Sequence, residues 1–421
     1  MTEARTIFHI DVNSAFLSWE AVYRINFLGE ERDLRNMVSA IGGDVEKRHG
    51  IILAKSIPAK KYNIRTGESI LEARQKCPHL LIMPPDYDLY ESCSEAFMEI
   101  LREYSDMVEQ YSIDEAFIDV TDAMGLYSSP VDLASKIKDR IRDKLGFTVN
   151  IGISTNKLLA KMASDFTKPD RVHTLYPEEI PVKMWPLPVG DLFYVGRASQ
   201  KKLYKLGIRT IGDLAHADPQ TLQNHMKSHG LIIWNYANGV DYSLVCPEIP
   251  ANKGYGNSTT VAFDVKDAVT AKMFLLGLCE TVGTRIRRDG AEVQVVSIGV
   301  RYQDDLSHES MQMTLDEPTD ITTELYNASC CLFDKLWDGK RAIRHIGVHT
   351  AHVKTQTGCR QLSLFETKDY EKMKMLDKAV DSIRLKYGKE AVMRSVFLLN
   401  PGIDPMIGGI SKEKRGIHQN D

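Results

Sequence analysis

Three acids stand out by where they sit. Asp114 and Glu115 are adjacent in Gln110-Tyr111-Ser112-Ile113-Asp114-Glu115-Ala116-Phe117-Ile118-Asp119, whose apolar residues read as strand. A strand sends successive side chains to opposite faces, and uncompensated carboxylates repel each other. An acidic pair at the start of an apolar strand therefore needs a counter-charge, and a divalent cation is a natural one. Taken alone, the pair also fits a solvated turn before a strand. Asp11 bears on that choice. It interrupts the nearly continuous apolar run Thr6-Ile7-Phe8-His9-Ile10-Asp11-Val12, where a buried strand gives way to a helix. An acid there is costly unless it is used. Carboxylates are hard donors that suit Mg²⁺ or Mn²⁺ rather than zinc. Two such ions about 3.5–4 Å apart can activate a hydroxyl and stabilise a leaving pyrophosphate oxygen. That chemistry leaves polymerase, nuclease and nucleotide cyclase open. Cations at Lys55, Lys60, Lys61 and Arg65 would suit a triphosphate, although lysines on a small module are commonly just solvated.

The elements that must position these groups are legible in outline. Asn13-Ser14 offers an N-cap, and Ala15 to Tyr23 reads as helix with Phe16, Trp19 and Tyr23 at helical spacing. Residues 26–78 form a separate small module. Residues 86–108 read as one long amphipathic helix with Tyr90, Cys93, Phe97, Ile100, Leu101 and Tyr104 on its apolar face. A helix over 130–145, a strand over 148–154 and a helix over 156–165 follow. With 26–78 set aside, the order is β-α-α-β-β-α-β-α, which folds as a split βαβ sheet with helices on one face. The end of the first strand then lies beside the central hairpin, and Asp11 faces Asp114 and Glu115.

Residues 170–242 read as all-helical. Within them Tyr194-Val195-Gly196-Arg197-Ala198 and Gly207 to Leu214 suggest a helix-hairpin-helix, whose exposed backbone N–H groups can hold a phosphate without reading bases. Residues 243–353 repeat a β-α-β-β-α-β order, with the Cys330-Cys331 pair expected in the core. Arg285, Arg287, Arg288, Lys340, Arg341 and Arg344 give it local basic character. Residues 354–421 form a tail. It carries Gln361-Leu362-Ser363-Leu364-Phe365 and then an amphipathic helix, with Met373, Leu376, Val380, Ile383 and Tyr387 on one face and Gly388 at its end.

Composition bounds the class. A chain of 421 residues exceeds one core and suggests two to four domains. A hydrophobic content of 43% and a charged content of 26% are ordinary for a soluble globular protein. Net charge is -4, so any nucleic-acid surface must be local. No signal-peptide core and no run of membrane-spanning length is present, so no membrane contact is expected. Seven cysteines without C-x-x-C spacing argue against a disulfide framework or zinc site and fit a reducing cytoplasm.

The motifs carry a resemblance. Ile10-Asp11-Val12-Asn13-Ser14-Ala15-Phe16, Tyr111-Ser112-Ile113-Asp114-Glu115-Ala116-Phe117, Gly152 to Asp165 and Lys168-Pro169 are similar to those of Y-family, or translesion, DNA polymerases of the DinB/UmuC type, in order over about residues 5 to 352. The resemblance implies an α+β multidomain right hand. Its parts would be a ferredoxin-like βαββαβ palm (1–25 and 79–169), small fingers (26–78), a helix-hairpin-helix thumb (170–242), a βαββαβ little finger (243–353) and the tail. It implies a DNA-directed DNA polymerase that extends primers past damaged bases with low fidelity. No stretch is left for a proofreading exonuclease.

By the same resemblance, Asp11 and Asp114 would hold two Mg²⁺ ions, Glu115 the primer-side one, with the Val12 carbonyl completing the set. Phe16 matches the steric gate against a 2′-hydroxyl, and Lys168 a triphosphate-binding lysine. Lys60 stands where an arginine is usual and Ile57 where a tyrosine is usual, with Lys61 a neighbour that could compensate. Gly196, Arg209 and Arg344 match DNA-contacting positions. Tyr194 replaces the first glycine of the usual Gly-x-Gly, and His345 a second arginine. Gln361, Leu362, Leu364 and Phe365 look like the peptide that binds the bacterial sliding clamp, with Leu364 and Phe365 as anchors. Chain beyond that peptide leans toward the UmuC-like branch. The expected partners are primer-template DNA, deoxynucleoside triphosphates and the clamp, with the protein itself a monomer. A non-catalytic clamp- and DNA-binding scaffold and a metal nuclease are the rival readings.

Overall fold

In a computed structural model that describes residues 5–43, 50–248, 251–355, 369–398, 400 and 402–407, the first apolar run is strand β1 (Ile7–Val12), buried along its whole length. The described residues fall into two compact units, 5–43 with 51–248, and those from 251 onward. None of the described helices is long and apolar enough to cross a membrane.

In the first unit, β1 leads into helix α1 (Ala15–Leu28). Ser14 stands at its N-cap, but in a left-handed conformation (φ 52°) with no side-chain capping bond, so the expected cap does not form. Asn13 ties this turn down instead, its amide donating to Thr148 Oγ1 at 3.1 Å. A small module follows, with β2 (Ser39–Gly42), β3 (Ile52–Lys55), α2 (Ile57–Lys60), α3 (Ile70–Lys76) and β4 (Leu81–Met83). Ser56 and Ser69 accept from the first turns of α2 and α3, the latter in a capping box with Glu72. The sheet order is β3-β2-β4, which carries this module to Met83.

Helix α4 (Tyr87–Arg102) begins at Asp86, whose carboxylate accepts from the Leu89 N–H. It is shorter than expected, because the chain turns after Arg102 and Val108–Gln110 pairs with the next strand as edge strand β5. Strand β6 (Glu115–Asp119), helix α5 (Pro130–Leu145), strand β7 (Val149–Ser154), helix α6 (Lys157–Ser164) and strand β8 (Val172–Thr174) complete a sheet of order β5-β6-β1-β7-β8. One face, with Phe8, Ile10, Ala116, Ile118 and Ile151, packs on Phe97 and Leu101 of α4 and Leu133 and Ile137 of α5. Helix α6 covers the opposite face, so the helices are not confined to one side. Gly152 permits this, since a Cβ there would lie 2.0 Å from the Ala160 carbonyl oxygen.

Helices α7 (Ile180–Lys183), α8 (Arg197–Lys205), α9 (Ile211–Ala215), α10 (Pro219–Met226) and α11 (Ser228–Ala237) share a core of Leu192, Leu203, Ile211, Leu214, Leu222 and Ile233. The stretch from 170 is not wholly helical, because β8 runs parallel to β7 as part of the sheet.

The second unit holds β9 (Gly256–Val265), α12 (Ala268–Arg288), β10 (Ala291–Tyr302), β11 (His308–Thr319), α13 (Thr322–Leu336) and β12 (Ile343–Thr355). Its antiparallel sheet has the order β11-β10-β12-β9. The cysteine pair is not core, since Cys330 is half-buried and Cys331 exposed. Helix α14 (Tyr370–Tyr387) and the short α15 (Ser395–Leu398) follow. Helix α14 reverses the expectation drawn from its apolar stripe. Leu376, Ile383 and Tyr387 are exposed, and the buried positions are Tyr370, Asp377 and Arg384. The helix docks through charge. Arg287 of α12 reaches Asp377 at 3.2 Å and Asp381 at 2.6 Å, and Glu280 takes Arg384 at 2.6 Å and Arg394 at 2.5 Å.

Candidate active site

The sheet register gathers the acids. Asp11 on β1 stands directly opposite Glu115 on β6, and directly opposed residues of an antiparallel pair share a face. The Val12 N–H donates to the Asp114 carbonyl at 3.0 Å, which sets Asp114 at the mouth of the same strand pair.

Each carboxylate is engaged by its own donor. Lys168 Nζ lies 2.7 Å from Asp11 Oδ2 and 2.9 Å from Asp165 Oδ1. Burial nevertheless pushes the Asp11 carboxyl up to about 6, Lys168 opposing the shift and Glu115 and Asp165 adding to it. For the Lys168 ammonium, burial works against the charge but Asp11 and Asp165 outweigh it, so its pKa is raised. The balance differs at Glu115. Burial raises its carboxyl, but His9 and Lys161 outweigh that and bring it down to about 2. Ser112 Oγ donates to Asp114 Oδ1 at 2.7 Å.

Among the described residues, no three His, Cys, Asp or Glu side chains are grouped closely enough to hold an ion as they stand. The donor set nonetheless fits Mg²⁺ in kind: hard oxygens, with the charged form of Asp11 disfavoured by burial and by neighbouring negative charge. More positive charge would be stabilising there.

The other expected residues are spread over both units. The Phe16 ring is stacked on Tyr90 (4.6 Å between centroids, 10° between planes) and meets Tyr87 edge-on. Tyr90 is fully buried, with its hydroxyl 3.4 Å from Glu20 Oε2, so Phe16 has a firm backing. Tyr87 and Tyr90 were not singled out from the sequence as site residues, and their three-residue spacing on α4 was the available signal. Lys60 ends α2, Lys61 caps it, and both are exposed, as is Ile57 at its start. Among the described residues, no ion pair joins either lysine to the three acids.

Gly196 is the N-cap of α8. Tyr194 keeps a glycine-like conformation (φ 77°) where glycine is usual, so the backbone shape of that hairpin is retained at some strain. The Arg209 N–H donates to Asp213 Oδ2 at 3.0 Å. In the second unit, Arg344 lies where the β12 register shifts between Ile343 and His345. Gln361, Leu362, Leu364 and Phe365 lie outside the described residues. One residue was missed altogether. Lys161 of α6 is buried with Nζ 2.9 Å from Glu115 Oε2, and its sequence signal was a lysine set among Leu158, Leu159, Ala160, Met162 and Ala163.

This architecture is that of the Y-family polymerases. A solved Y-family DNA polymerase chimera superposes with a TM-score of 0.71 at 22% identity, covering 83% of this chain and 99% of the other. Residues 10–165 match the impB/mucB/samB family, 177–208 the HHH motif of the IMS family, and 252–364 the impB/mucB/samB family C-terminal domain. A relative named DNA polymerase IV from Clostridium acetobutylicum is 46% identical over 396 residues, 94% of this chain and 98% of its own. Another of that name from Acetivibrio thermocellus is 35% identical over 95% of this chain and 99% of its own. DNA polymerase IV 1 of Bacillus subtilis is 34% identical over 94% of each. The chain belongs to the impB/mucB/samB family of Y-family DNA polymerases. Coverage of 94% extends into α14, so chain beyond residue 365 is shared with relatives named DNA polymerase IV and does not mark a UmuC-like branch.

Proposed function

We propose that this protein is a DNA-directed DNA polymerase that extends a primer across damaged template, and that Asp11, Asp114 and Glu115 are its catalytic acids. The observation that carries the reading is the opposition of Asp11 and Glu115 in register, with Val12 bonded to Asp114 beside them. Asp11, Asp114, Glu115 and the Val12 carbonyl would hold two magnesium ions, for which manganese can substitute. Magnesium, when bound, would activate the primer hydroxyl and stabilise the leaving pyrophosphate.

The chain's own residues supply the rest. Lys168, now paired with Asp11 and Asp165, would turn its ammonium to the triphosphate, with Lys60 and Lys61 adding charge from the small module. The Phe16 ring, backed by Tyr90, would close the space a ribose 2′-hydroxyl needs. Gly196 and Arg209 would hold DNA phosphates on one unit and Arg344 on the other. Gln361, Leu362, Leu364 and Phe365 would dock the sliding clamp.

A primer-extension gel with and without deoxynucleotides tests the reading. Template-directed, magnesium-dependent extension that is lost in Asp114→Ala is the expected result. Primer degradation without nucleotides would identify a nuclease. Binding with neither reaction would identify a scaffold.

A further inference from the structure

We propose that Lys161 is the positioning residue of Glu115. Its ammonium holds one carboxylate oxygen in place and limits how strongly the acids bind a divalent cation on their own. The proposal deepens the polymerase reading and rests on it for the role of Glu115.

Helix α6 lies against the sheet face that carries His9 and Glu115, brought close by Gly152. Ser164 Oγ is 2.8 Å from the Lys161 carbonyl and 2.7 Å from His9 Nδ1. A hydroxyl has one proton and a carbonyl can only accept. Ser164 therefore donates to that carbonyl and accepts from the His9 Nδ1–H. The other ring nitrogen of the buried His9 is Nε2. That nitrogen is 3.4 Å from Lys161 Nζ and 3.9 Å from Glu115 Oε2. It stands between the ammonium and the carboxylate. Lys161 in turn donates to Glu115 Oε2 at 2.9 Å.

The rest of the ammonium is enclosed by rings, Tyr111 at 5.2 Å and Phe193 at 5.5 Å from their centroids. The chain of donors and acceptors thus runs from the α6 backbone to one oxygen of Glu115 and leaves Oε1 for ligation. A side chain locked this way holds its ligand in a single orientation. It also places one positive charge a hydrogen bond away from a ligand oxygen, which weakens attraction for a cation.

These two effects separate by experiment. Lys161→Met keeps the length and removes the charge, and Lys161→Gln keeps a donor without the charge. Mn²⁺ binding to the full chain is measured by electron paramagnetic resonance without DNA or nucleotide, and primer extension is measured separately. In Lys161→Met we expect Mn²⁺ to bind about five-fold tighter or more. We expect extension at saturating nucleotide to fall about ten-fold or more, with nucleotide KM little changed. Lys161→Gln should bind Mn²⁺ as tightly as Lys161→Met while recovering part of the rate. If Lys161→Met does not fold by circular dichroism, Lys161→Gln carries both measurements against the wild type. A folded variant whose Mn²⁺ affinity is unchanged or weaker overturns the proposal, as does tighter binding with an unchanged rate. Absence of extension by the wild type would instead overturn the polymerase reading, and the Mn²⁺ comparison would still decide the effect of Lys161 on cation binding.

Discussion

Replacing Asp11 by Asn should remove activity and raise stability in the metal-free protein. Asp11 is buried with its carboxyl pushed up to about 6 from an ordinary 3.8. That difference corresponds to about 3 kcal/mol of destabilisation once the group is ionised in both states. The sign follows from proton uptake. Below about pH 3.8 the group is protonated folded and unfolded, and it contributes nothing. Between about 3.8 and 6 the unfolded chain releases a proton that the folded chain retains, so stability falls as pH rises. Above about 6 the full penalty applies. Asp11→Asn cannot ionise and escapes it, while Lys168 loses its 2.7 Å partner but keeps Asp165 at 2.9 Å. A net gain of about 2 kcal/mol at neutral pH is reasonable, or roughly 4 °C or more in Tm for a unit of this size. The assay is thermal denaturation in chelator at pH 7.5 and pH 5. The variant should melt higher at 7.5, with the gap narrowing at 5. Added Mg²⁺ should raise the wild type and move the variant less. A variant that melts with or below the wild type at pH 7.5 in chelator would refute the reasoning that Asp11 is held at a cost.

Asp114→Ala, folded by circular dichroism, should lose extension by about a hundred-fold or more, and an unaffected variant would remove Asp114 from the metal assignment. Phe16→Ala should incorporate ribonucleotides that the wild type rejects; equal rejection would deny the Phe16 ring its gating role. Lys60→Arg restores a bidentate fork and should lower nucleotide KM a few-fold in steady-state extension, whereas an unchanged KM would mean that Lys60 does not meet the triphosphate. Arg287→Leu leaves Asp377 and Asp381 without their buried partner and should destabilise the second unit by about 3 kcal/mol or more, read as a lower melting transition. An unchanged melt would show that α14 is held by something other than these charges.

The acids were legible because strand register converts sequence position into geometry. An acid late in one buried strand and a pair at the start of another meet once the strands pair antiparallel, and Asp11 does stand opposite Glu115. The side of the sheet taken by α6 was not legible from apolar content, because β7 is buried on both faces. Its one signal was Gly152, whose missing Cβ lets a helix backbone approach.

Charge explains the other failures. Hydrophobic periodicity found a true stripe on α14, yet the docked side is the one carrying Asp377, Asp381 and Arg384. Their partners, Glu280 and Arg287, lie about ninety or more positions earlier, as the Arg287–Asp377 pair shows. A lysine or aspartate in a sequence looks solvated until its partner is known, because burying it alone is prohibitive and burying it paired is not. Lys161 is the same case beside the three acids. Its neighbours on α6 mark the position as buried, but its polar partners His9 and Glu115 come together only through the pairing of β1 with β6. A buried lysine in an apolar helix is thus a sequence signal for an acid on the strand it faces, and that acid becomes identifiable once the sheet order is known.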